Sequence, residues 1–196
     1  MKRTFNILSL SGGGIKGLFQ ASFLKLLEKE YQVPLTNIFD LIAGTSTGAI
    51  VGAAVAKHIP MDTVENLYME RGKEIFDQNR MKYLRSSWYS NKQLKEVLLE
   101  KFEKDKMDSI KNEILIPTTL LENDRHKVFT NKDDISIVDA IMSSTAAPFY
   151  FNAYEISGDI HHSYVDGGLW ANNPTLLAIL YAITELDVPV SSIRVL

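Results

Sequence analysis

Residues 40–50, which read DLIAGTSTGAI, are the stretch that decides the fold of this chain. The apolar run 41–43 is long enough for a buried strand, and the small apolar residues 49–56 are typical of a helix packed closely against a sheet. Only a short turn separates the two. The stretch therefore predicts a buried strand that passes at once into a buried helix, as in α/β proteins.

Gly44 and Gly48 flank Ser46 between this strand and helix, in the spacing G-x-S-x-G. Where a strand turns directly into a helix, the glycines let backbones approach, and the corner residue exposes its side chain beside N–H groups of the helix N-terminus. A serine hydroxyl at that corner is placed for nucleophilic attack. The alternative is an ordinary Gly/Ser turn, but the flanking strand and helix favour the catalytic interpretation.

A second glycine-rich turn, SGGGIKG at residues 11–17, lies between a strand predicted at 5–10 and a helix predicted at 18–30. It is not a P-loop, because apolar residues stand where the Walker motif requires Lys-Ser/Thr. It matches the dinucleotide spacing G-x-G-x-x-G, but Asp40 precedes the second strand instead of following it. The remaining interpretation is an anion site of glycine N–H groups, which would serve Ser46 as an oxyanion hole.

Hydrophobic periodicity predicts the rest of the secondary structure. On helix 18–30, apolar side chains recur at helical spacing and are expected to face inward: Leu18, Phe19, Phe23, Leu26 and Leu27. Pro117 is expected to place part of its strand at an edge or a bulge. The alternation predicts an α/β fold with a mainly parallel sheet and helices on both faces. The further elements are helices at 61–76, 91–104, 136–144 and 175–186, and strands at 114–121, 126–130, 154–156, 162–165 and 193–196.

A serine nucleophile needs a base within hydrogen-bonding reach. No histidine follows Asp166, so the order Ser, acid, His of α/β-hydrolases cannot be assembled. His58 lies roughly 18 Å along the helix from Ser46. Asp166 remains as the candidate base, with Gly167 and Gly168 allowing close approach, although Asp-Gly-Gly is also a common turn. The ordinary pKa of aspartate, near 3.9, makes it a weak base. The other histidines are expected in turns or a hairpin: His126, His161 and His162.

The composition limits the function. The chain has 196 residues, 45% hydrophobic and 23% charged, which suits one soluble globular domain. A net charge of −3 argues against a general nucleic-acid binder. The absence of cysteine excludes disulfides, thiol catalysis and cysteine-based zinc sites. With no secretory leader and no run of roughly 20 apolar residues, we expect a cytoplasmic protein.

Two further segments suggest contact with lipid. Residues 79–95 interleave Lys and Arg with Trp and Tyr and contain no acidic residue, which suits anionic lipid headgroups. The alternative is that these aromatic residues belong to the core and the cations to a solvated face. Residues 144–151, STAAPFYF, combine small and aromatic residues that can wall an apolar acyl slot.

Three motifs stand in order along the chain: GGGIKG at 12–17, GTSTG at 44–48 and DGG at 166–168. Together they resemble the patatin-like phospholipases, which share a catalytic Ser–Asp dyad with cytosolic phospholipase A2 enzymes. The segment 144–151 and the Asn-Asn-Pro at 172–174 are similar to the same family. The resemblance covers nearly the whole chain.

The resemblance implies a three-layer α/β/α lipid acyl hydrolase. Ser46 would attack the ester carbonyl, Asp166 would act as general base, and water would then cleave the acyl-enzyme. The N–H groups of Gly13 and Gly14 would form the oxyanion hole. The other residues of this implied site are Gly12, Lys16 and Gly17 in the glycine loop, Gly44 and Gly48 at the elbow, and Gly167 and Gly168 after the base.

The resemblance also leads to expectations about partners. It implies a phospholipid substrate met at a membrane surface, with no cofactor and no metal. Because family domains continue past this last strand, we expect residues 1–196 to be a truncated catalytic domain. A regulatory C-terminal part, or control by cyclic nucleotides as in some bacterial relatives, would belong to the full protein. The alternatives are acyl transfer or thioester hydrolysis at the same site, a dinucleotide-binding module, and an inactive regulatory fragment.

Overall fold

The computed structural model describes residues 4–76, 91–122, 125–148, 150–159 and 161–196. Most of the basic, aromatic segment 79–95 falls outside these ranges. No helix within them is long and apolar enough to cross a membrane. The elements follow in the order β1 (Phe5–Leu10), α1 (Gly17–Tyr31), β2 (Leu41–Gly44), α2 (Thr47–Ala56), α3 (Met61–Phe76), α4 (Asn91–Phe102), β3 (Glu113–Leu120), β4 (Arg125–Thr130), α5 (Ile137–Thr145), β5 (Tyr154–Glu155), β6 (Ser163–Asp166), α6 (Gly168–Ala171), α7 (Thr175–Thr184) and β7 (Ile193–Val195).

The centre of the sheet is parallel. Strand β1 lies between β7 and β2, β2 continues to β3, and these three pairings are all parallel. Strands β4 and β6 are antiparallel to β3, and β5 is antiparallel to β6. Because β1 and β2 run in the same direction, their carboxyl ends lie at the same edge of the sheet. Both glycine-rich turns are therefore at that edge.

Alternate residues of the central strands face two separate cores, because successive strand residues point to opposite sides of a sheet. Leu8 and Ile42 belong to the core covered by helices α1 to α5. Ile7 and Leu41 belong to the core that α7 covers with its alanines. Helices thus lie on both faces of the sheet, and the predicted α/β class with three layers is confirmed.

Helix α2 lies at the centre of the larger core. All ten of its residues are buried, and none carries a charge. A helix that is apolar on every side is stable only where it is surrounded by protein. The helix that begins at the Ser46 corner is consequently packed against other parts of the protein on every side.

Helix α1 packs on the core through only part of the face predicted for it. Its buried residues are Gly17, Ala21 and Leu24. A Cβ added at Gly17 would lie 2.3 Å from the Thr47 hydroxyl, so the absence of a side chain there allows α1 to approach α2 closely. Of the five residues predicted to face inward, Leu18 and Leu27 are partly buried against the core. The prediction is wrong for the other three, which are exposed: Phe19, Phe23 and Leu26.

Candidate active site

Ser46 occupies the corner between β2 and α2. Its backbone angles are φ 55° and ψ −121°, a combination that residues with a side chain adopt only where surrounding contacts hold it. The neighbouring glycines permit close approach. A Cβ at Gly44 would lie 2.2 Å from the carbonyl oxygen of Gly48, and one at Gly48 would lie 2.2 Å from that of Leu10. The sequence folds here into the tight elbow that G-x-S-x-G requires.

Hydrogen bonds from other segments fix this elbow. The Ser46 N–H donates to the Ser144 hydroxyl oxygen over 2.9 Å, and the Ser144 hydroxyl donates to the Pro117 carbonyl over 2.6 Å. The Thr45 hydroxyl donates to the Ala171 carbonyl over 2.6 Å. Because its own N–H is already used, Ser46 cannot contribute that group to an oxyanion hole.

Strands β2 and β6 share one edge of β3. Strand β4 pairs with residues 115–120 of β3 and so takes up one edge along that length. Strand β2 pairs with residues 113–115, and β6 pairs with residues 118–120. Both must therefore lie along the opposite edge, one after the other. Since β2 is parallel and β6 antiparallel to β3, their carboxyl ends point toward each other.

The two strand ends meet beside Pro117. Ser46 follows the end of β2, and Asp166 is the last residue of β6, so this meeting brings the two side chains together. The mainly parallel sheet predicted from the sequence did not indicate that the strand before Asp166 would be antiparallel. The Pro117 carbonyl points into the gap, where it accepts the Ser144 hydroxyl. The proline lies in the interior of β3 beside this gap, where it is paired with neither β2 nor β6.

The Asp166 carboxylate is buried against Ser46. Its Oδ1 accepts the Gly168 N–H over 2.6 Å, and the Ser46 side chain lies beside the same carboxylate. Burial raises the pKa of Asp166, while the Gly168 N–H and the Ser46 hydroxyl oppose that rise. A carboxylate with a raised pKa is a stronger base than a solvated aspartate, so burial partly corrects the weakness expected from the sequence.

The glycine-rich turn lies against the same serine. A Cβ at Gly12 would lie 3.3 Å from the Cβ of Ser46. Gly14 has φ 56°, which favours glycine. Among the described residues, no backbone carbonyl accepts the N–H of Gly13 or of Gly14. Two such donors beside a serine hydroxyl are suited to stabilising an oxyanion.

Not every glycine predicted for the site faces it. The Gly12 N–H donates to the Asn172 carbonyl over 2.8 Å, and Gly17 is buried against Thr47. Of the glycines in this turn, Gly13 and Gly14 therefore remain as the candidate oxyanion donors. The remaining glycines of the motifs act through close packing and do not line the cavity: Gly44, Gly48 and Gly167.

A cavity of about 430 Å³ opens above these groups, a volume typical of small-molecule sites. The side chains of Ser46, Asp166, Lys16 and Asn172 form its polar wall. A mainly apolar pocket with a few converging polar groups is the usual form of a ligand site. Its apolar wall consists of Ile15, Ala147, Pro148, Tyr150, Phe151 and Leu169.

The histidines of the described chain do not line this cavity. The ring of His126 stacks on Trp170 with centroids 4.3 Å apart. His162 Nδ1 lies 3.0 Å from an oxygen of Asp159, and His58 Nδ1 lies 3.3 Å from a threonine hydroxyl. The arrangement leaves Asp166 as the group next to the Ser46 hydroxyl.

Asp40 is not placed to serve as the acidic residue of a dinucleotide site. Asp40 accepts the backbone N–H of Asn6 over 2.8 Å, at the amino ends of β1 and β2. It is therefore at the opposite edge of the sheet from the glycine turn. Within the described ranges, no three histidine or carboxylate side chains are grouped so as to hold a metal ion.

Ser144 is a site residue that sequence reasoning missed. The sequence placed it only at the start of a segment that walls the cavity. Its hydrogen bond to the Ser46 N–H joins residues 98 positions apart, so no local motif could indicate it. The contact depends on α5 ending at the gap between β2 and β6.

Known proteins share this sequence pattern. The family model of the patatin-like phospholipases matches residues 8–179. A cGAMP-activated phospholipase of Pseudomonas aeruginosa is 32% identical, with 90% of this chain and 56% of the relative covered. Patatin-like protein 2 of Arabidopsis thaliana is 30% identical, with 92% and 53% covered. The calcium-independent phospholipase A2-gamma of Rattus norvegicus is 30% identical, with 90% and 26% covered.

The chain spans about half of the first two relatives and a quarter of the third. Among solved structures, VipD from Legionella pneumophila is similar with a TM-score of 0.58 and 12% identity, over 85% of this chain and 46% of that one. At this identity the similarity concerns the fold alone. The family model, by contrast, extends over nearly all of the sequence and includes all three motifs. The chain belongs to the patatin-like phospholipase family.

Proposed function

We propose that this chain is the catalytic domain of a lipid acyl hydrolase that cleaves carboxylic ester bonds of phospholipids. The main support is the position of Ser46 beside the buried Asp166 carboxylate, with both residues on the wall of one largely apolar cavity. Membership of the family and the names of the relatives support the same class of reaction.

In the first half-reaction, Ser46 Oγ attacks the ester carbonyl carbon and its proton passes to Asp166. The N–H groups of Gly13 and Gly14 donate to the carbonyl oxygen as it becomes negative. One such donor is worth on the order of 10²–10³ in rate. The carbon–oxygen bond then breaks, the alkoxide takes the proton back from Asp166, and the acyl group stays on Ser46.

In the second half-reaction, water attacks the acyl-enzyme. Asp166 takes one proton from that water, and the same glycine N–H groups stabilise the second oxyanion. When the ester bond to Ser46 breaks, the serine oxygen receives the proton and a free fatty acid leaves. Asp166 is ionised again, so the cycle needs no metal and no cofactor.

The cavity favours a lipid over a small polar ester. Its apolar wall offers an environment for an acyl chain, and Lys16 adds a positive charge that favours negatively charged groups of a substrate. We place the reaction in the cytoplasm at a membrane surface, where such substrates are found. This domain also has no strong positive charge that would attract nucleic acid.

A cyclic nucleotide is the regulator we propose to test first, because one of the relatives is named a cGAMP-activated phospholipase. The expected result is faster release of fatty acid when cGAMP is added to the full-length protein. An unchanged rate over a wide range of nucleotide concentration would contradict this regulation without affecting the proposed chemistry.

A soluble fluorophosphonate tests the nucleophile. We expect it to label Ser46 and to leave Ser46→Ala unlabelled, and labelling that persists in the variant would contradict the assignment.

Mass spectrometry of the products from a mixed phospholipid extract would then identify the reaction. Fatty acid and lysophospholipid are expected, whereas preferential cleavage of acyl-thioesters, or transfer of the acyl group to an added alcohol, would favour the alternative reactions.

A further inference from the structure

Helix α1 presents an apolar strip to solvent. We call Ile15, Phe19, Phe23 and Leu26 the α1 strip, since steps of three or four residues place them on one side of the helix and of the turn before it. Phe19 is 75% exposed and Leu26 is 64% exposed. The rings of Phe19 and Phe23 lie with centroids 6.5 Å apart. These side chains form a contiguous row.

This strip begins at the mouth of the active-site cavity. Ile15 both lines the cavity and is exposed to solvent. Leu169 and Tyr150 also line the cavity and are exposed. The mouth is therefore bordered by apolar side chains, and the α1 strip extends that apolar border along the helix.

Such a surface is unusual for the outside of a water-soluble domain. Single exposed apolar residues are normal, but a contiguous group marks a contact with another apolar phase or surface. The core face of α1 is already occupied, because Ala21 and Leu24 are fully buried. The strip is thus a second apolar face on the same helix, and the core does not account for it.

We propose that the α1 strip is the face with which this domain docks on a phospholipid bilayer. The inference rests on the proposed function, because the strip is continuous with the opening through which a lipid substrate must enter. A helix with an apolar face can lie in the plane of a membrane interface with that face inserted. In this orientation the cavity mouth faces the lipid, and an acyl chain passes from bilayer to cavity without crossing water.

The chemistry of the strip predicts the mode of binding. Its residues are apolar and the chain has a net charge of −3, so insertion and not charge attraction supplies the affinity. Binding to vesicles of pure phosphatidylcholine should therefore persist when the salt concentration is raised, since screening weakens only electrostatic contacts. Binding that needs anionic lipid and disappears in salt would instead point to a basic surface.

A matched pair of variants tests the proposal. Both are made in a Ser46→Ala background, so that vesicles are not hydrolysed and binding does not depend on catalysis. One carries Phe19→Ser and Leu26→Ser. The control carries Leu180→Ser and Val190→Ser, which replace side chains that are 50% and 66% exposed, on α7 or just before β7. Helix α7 lies on the other face of the sheet from α1.

Cosedimentation with phosphatidylcholine vesicles is the measurement. We expect the strip variant to bind at least about tenfold more weakly, because two large apolar side chains no longer pass from water into the lipid. The control should bind as the parent does. Equal losses in both variants, no loss in the strip variant, or no binding by the parent would each overturn the proposal.

Two further measurements separate this inference from others. The strip substitutions, placed in the protein with Ser46 intact, should leave fluorophosphonate labelling in solution unchanged, because neither residue lines the cavity. If the protein without strip substitutions labelled normally but did not bind vesicles, the docking proposal would be wrong and the proposed chemistry would stand. If light scattering showed a dimer that the strip substitutions convert to monomer, the strip would be an interface between copies and the membrane proposal would be wrong.

Discussion

Burial of Asp166 both raises the pKa of its carboxyl group and makes the ionised side chain costly to the folded state. The side chain is only 6% exposed, which disfavours its charged form and raises its pKa. The Gly168 N–H and the Ser46 hydroxyl keep that rise in check. The carboxylate is thereby a better proton acceptor, at a cost to the folded state whenever it is ionised.

Asp166→Asn should lower kcat by about 10²–10⁴, the usual contribution of a positioned general base. The amide has nearly the same shape and can still accept the Gly168 N–H, so the variant should fold.

In the wild type, kcat/KM should fall on the acid side with a midpoint above 3.8, because the pKa of Asp166 is raised from that value. Initial rates across pH check both, and a variant within tenfold of wild type would remove Asp166 from this role.

The same substitution should make the protein more stable near neutral pH. The raised pKa means that the folded state holds the Asp166 proton more tightly than the unfolded chain does. The stability that this proton provides is present below the unfolded pKa, near 3.8, and is lost as pH rises through the folded value. Thermal unfolding of both proteins should show Asp166→Asn with the higher Tm at pH 7. The gap should close as the pH approaches 4, and a lower Tm at pH 7 would contradict this account.

At the scale of elements, the end of α5 contacts the backbone of both Ser46 and Asp166. Ser144 accepts the Ser46 N–H, and the Ala146 carbonyl accepts the Asp166 N–H over 3.0 Å. The last turn of α5 and the residue that follows it therefore hold the strand ends of β2 and β6 in relation to each other. We expect this helix terminus to set the distance between nucleophile and base.

Ser144→Ala should reduce the rate of Ser46 labelling about tenfold or more. It leaves the Ser46 N–H buried without an acceptor, which costs about 1–3 kcal/mol, and it frees a backbone held at an unfavourable φ. Ser143→Ala is the matched control, because Ser143 is equally buried in the same helix but its hydroxyl donates to Asp139 within that helix. Similar labelling rates in the two variants would show that the Ser144 contact does not position the nucleophile.

Local signals in the sequence predicted some elements well and others badly, for physical reasons. The elbow at Ser46 could be predicted because its glycines are needed for contacts within a few residues and with the adjacent strand. The Ser136 cap of α5, whose hydroxyl accepts the Asp139 N–H over 2.9 Å, is equally local. The buried face of α1 could be predicted only in part, because small residues and large ones both recur at helical spacing. Close approach to α2 turns Gly17 inward and leaves Phe19 exposed.

At the scale of the whole molecule, α2 is the centre around which the layers are built. Its ten residues are all buried, so its amides can exchange with solvent only when much of the fold opens. Hydrogen exchange followed by mass spectrometry should show peptides from α2 among the slowest in the protein. Peptides from α7, which leaves Leu176 and Leu180 exposed, should exchange sooner, and the reverse order would contradict this view of the core.

The path of the chain through the sheet was beyond sequence reasoning. Periodicity indicates that residues leading to Asp166 form a strand, but it carries no information about direction or neighbour. The antiparallel placement of β6 depends on pairing with β3, whose residues are far away in sequence. Motif and elimination could therefore identify Ser46 and Asp166 as a candidate pair. The opposed pairing of β2 and β6 along β3, which brings the two residues together, could not be predicted from the sequence.

The meeting of β2 and β6 has a consequence for biosynthesis. A ribosome delivers the elbow early and the opposing carboxylate only after most of the domain has emerged. Until that late strand docks, Ser46 lacks the Asp166 carboxylate. Under the proposed function, a growing polypeptide would gain its activity toward lipid esters only after β6 has left the ribosome.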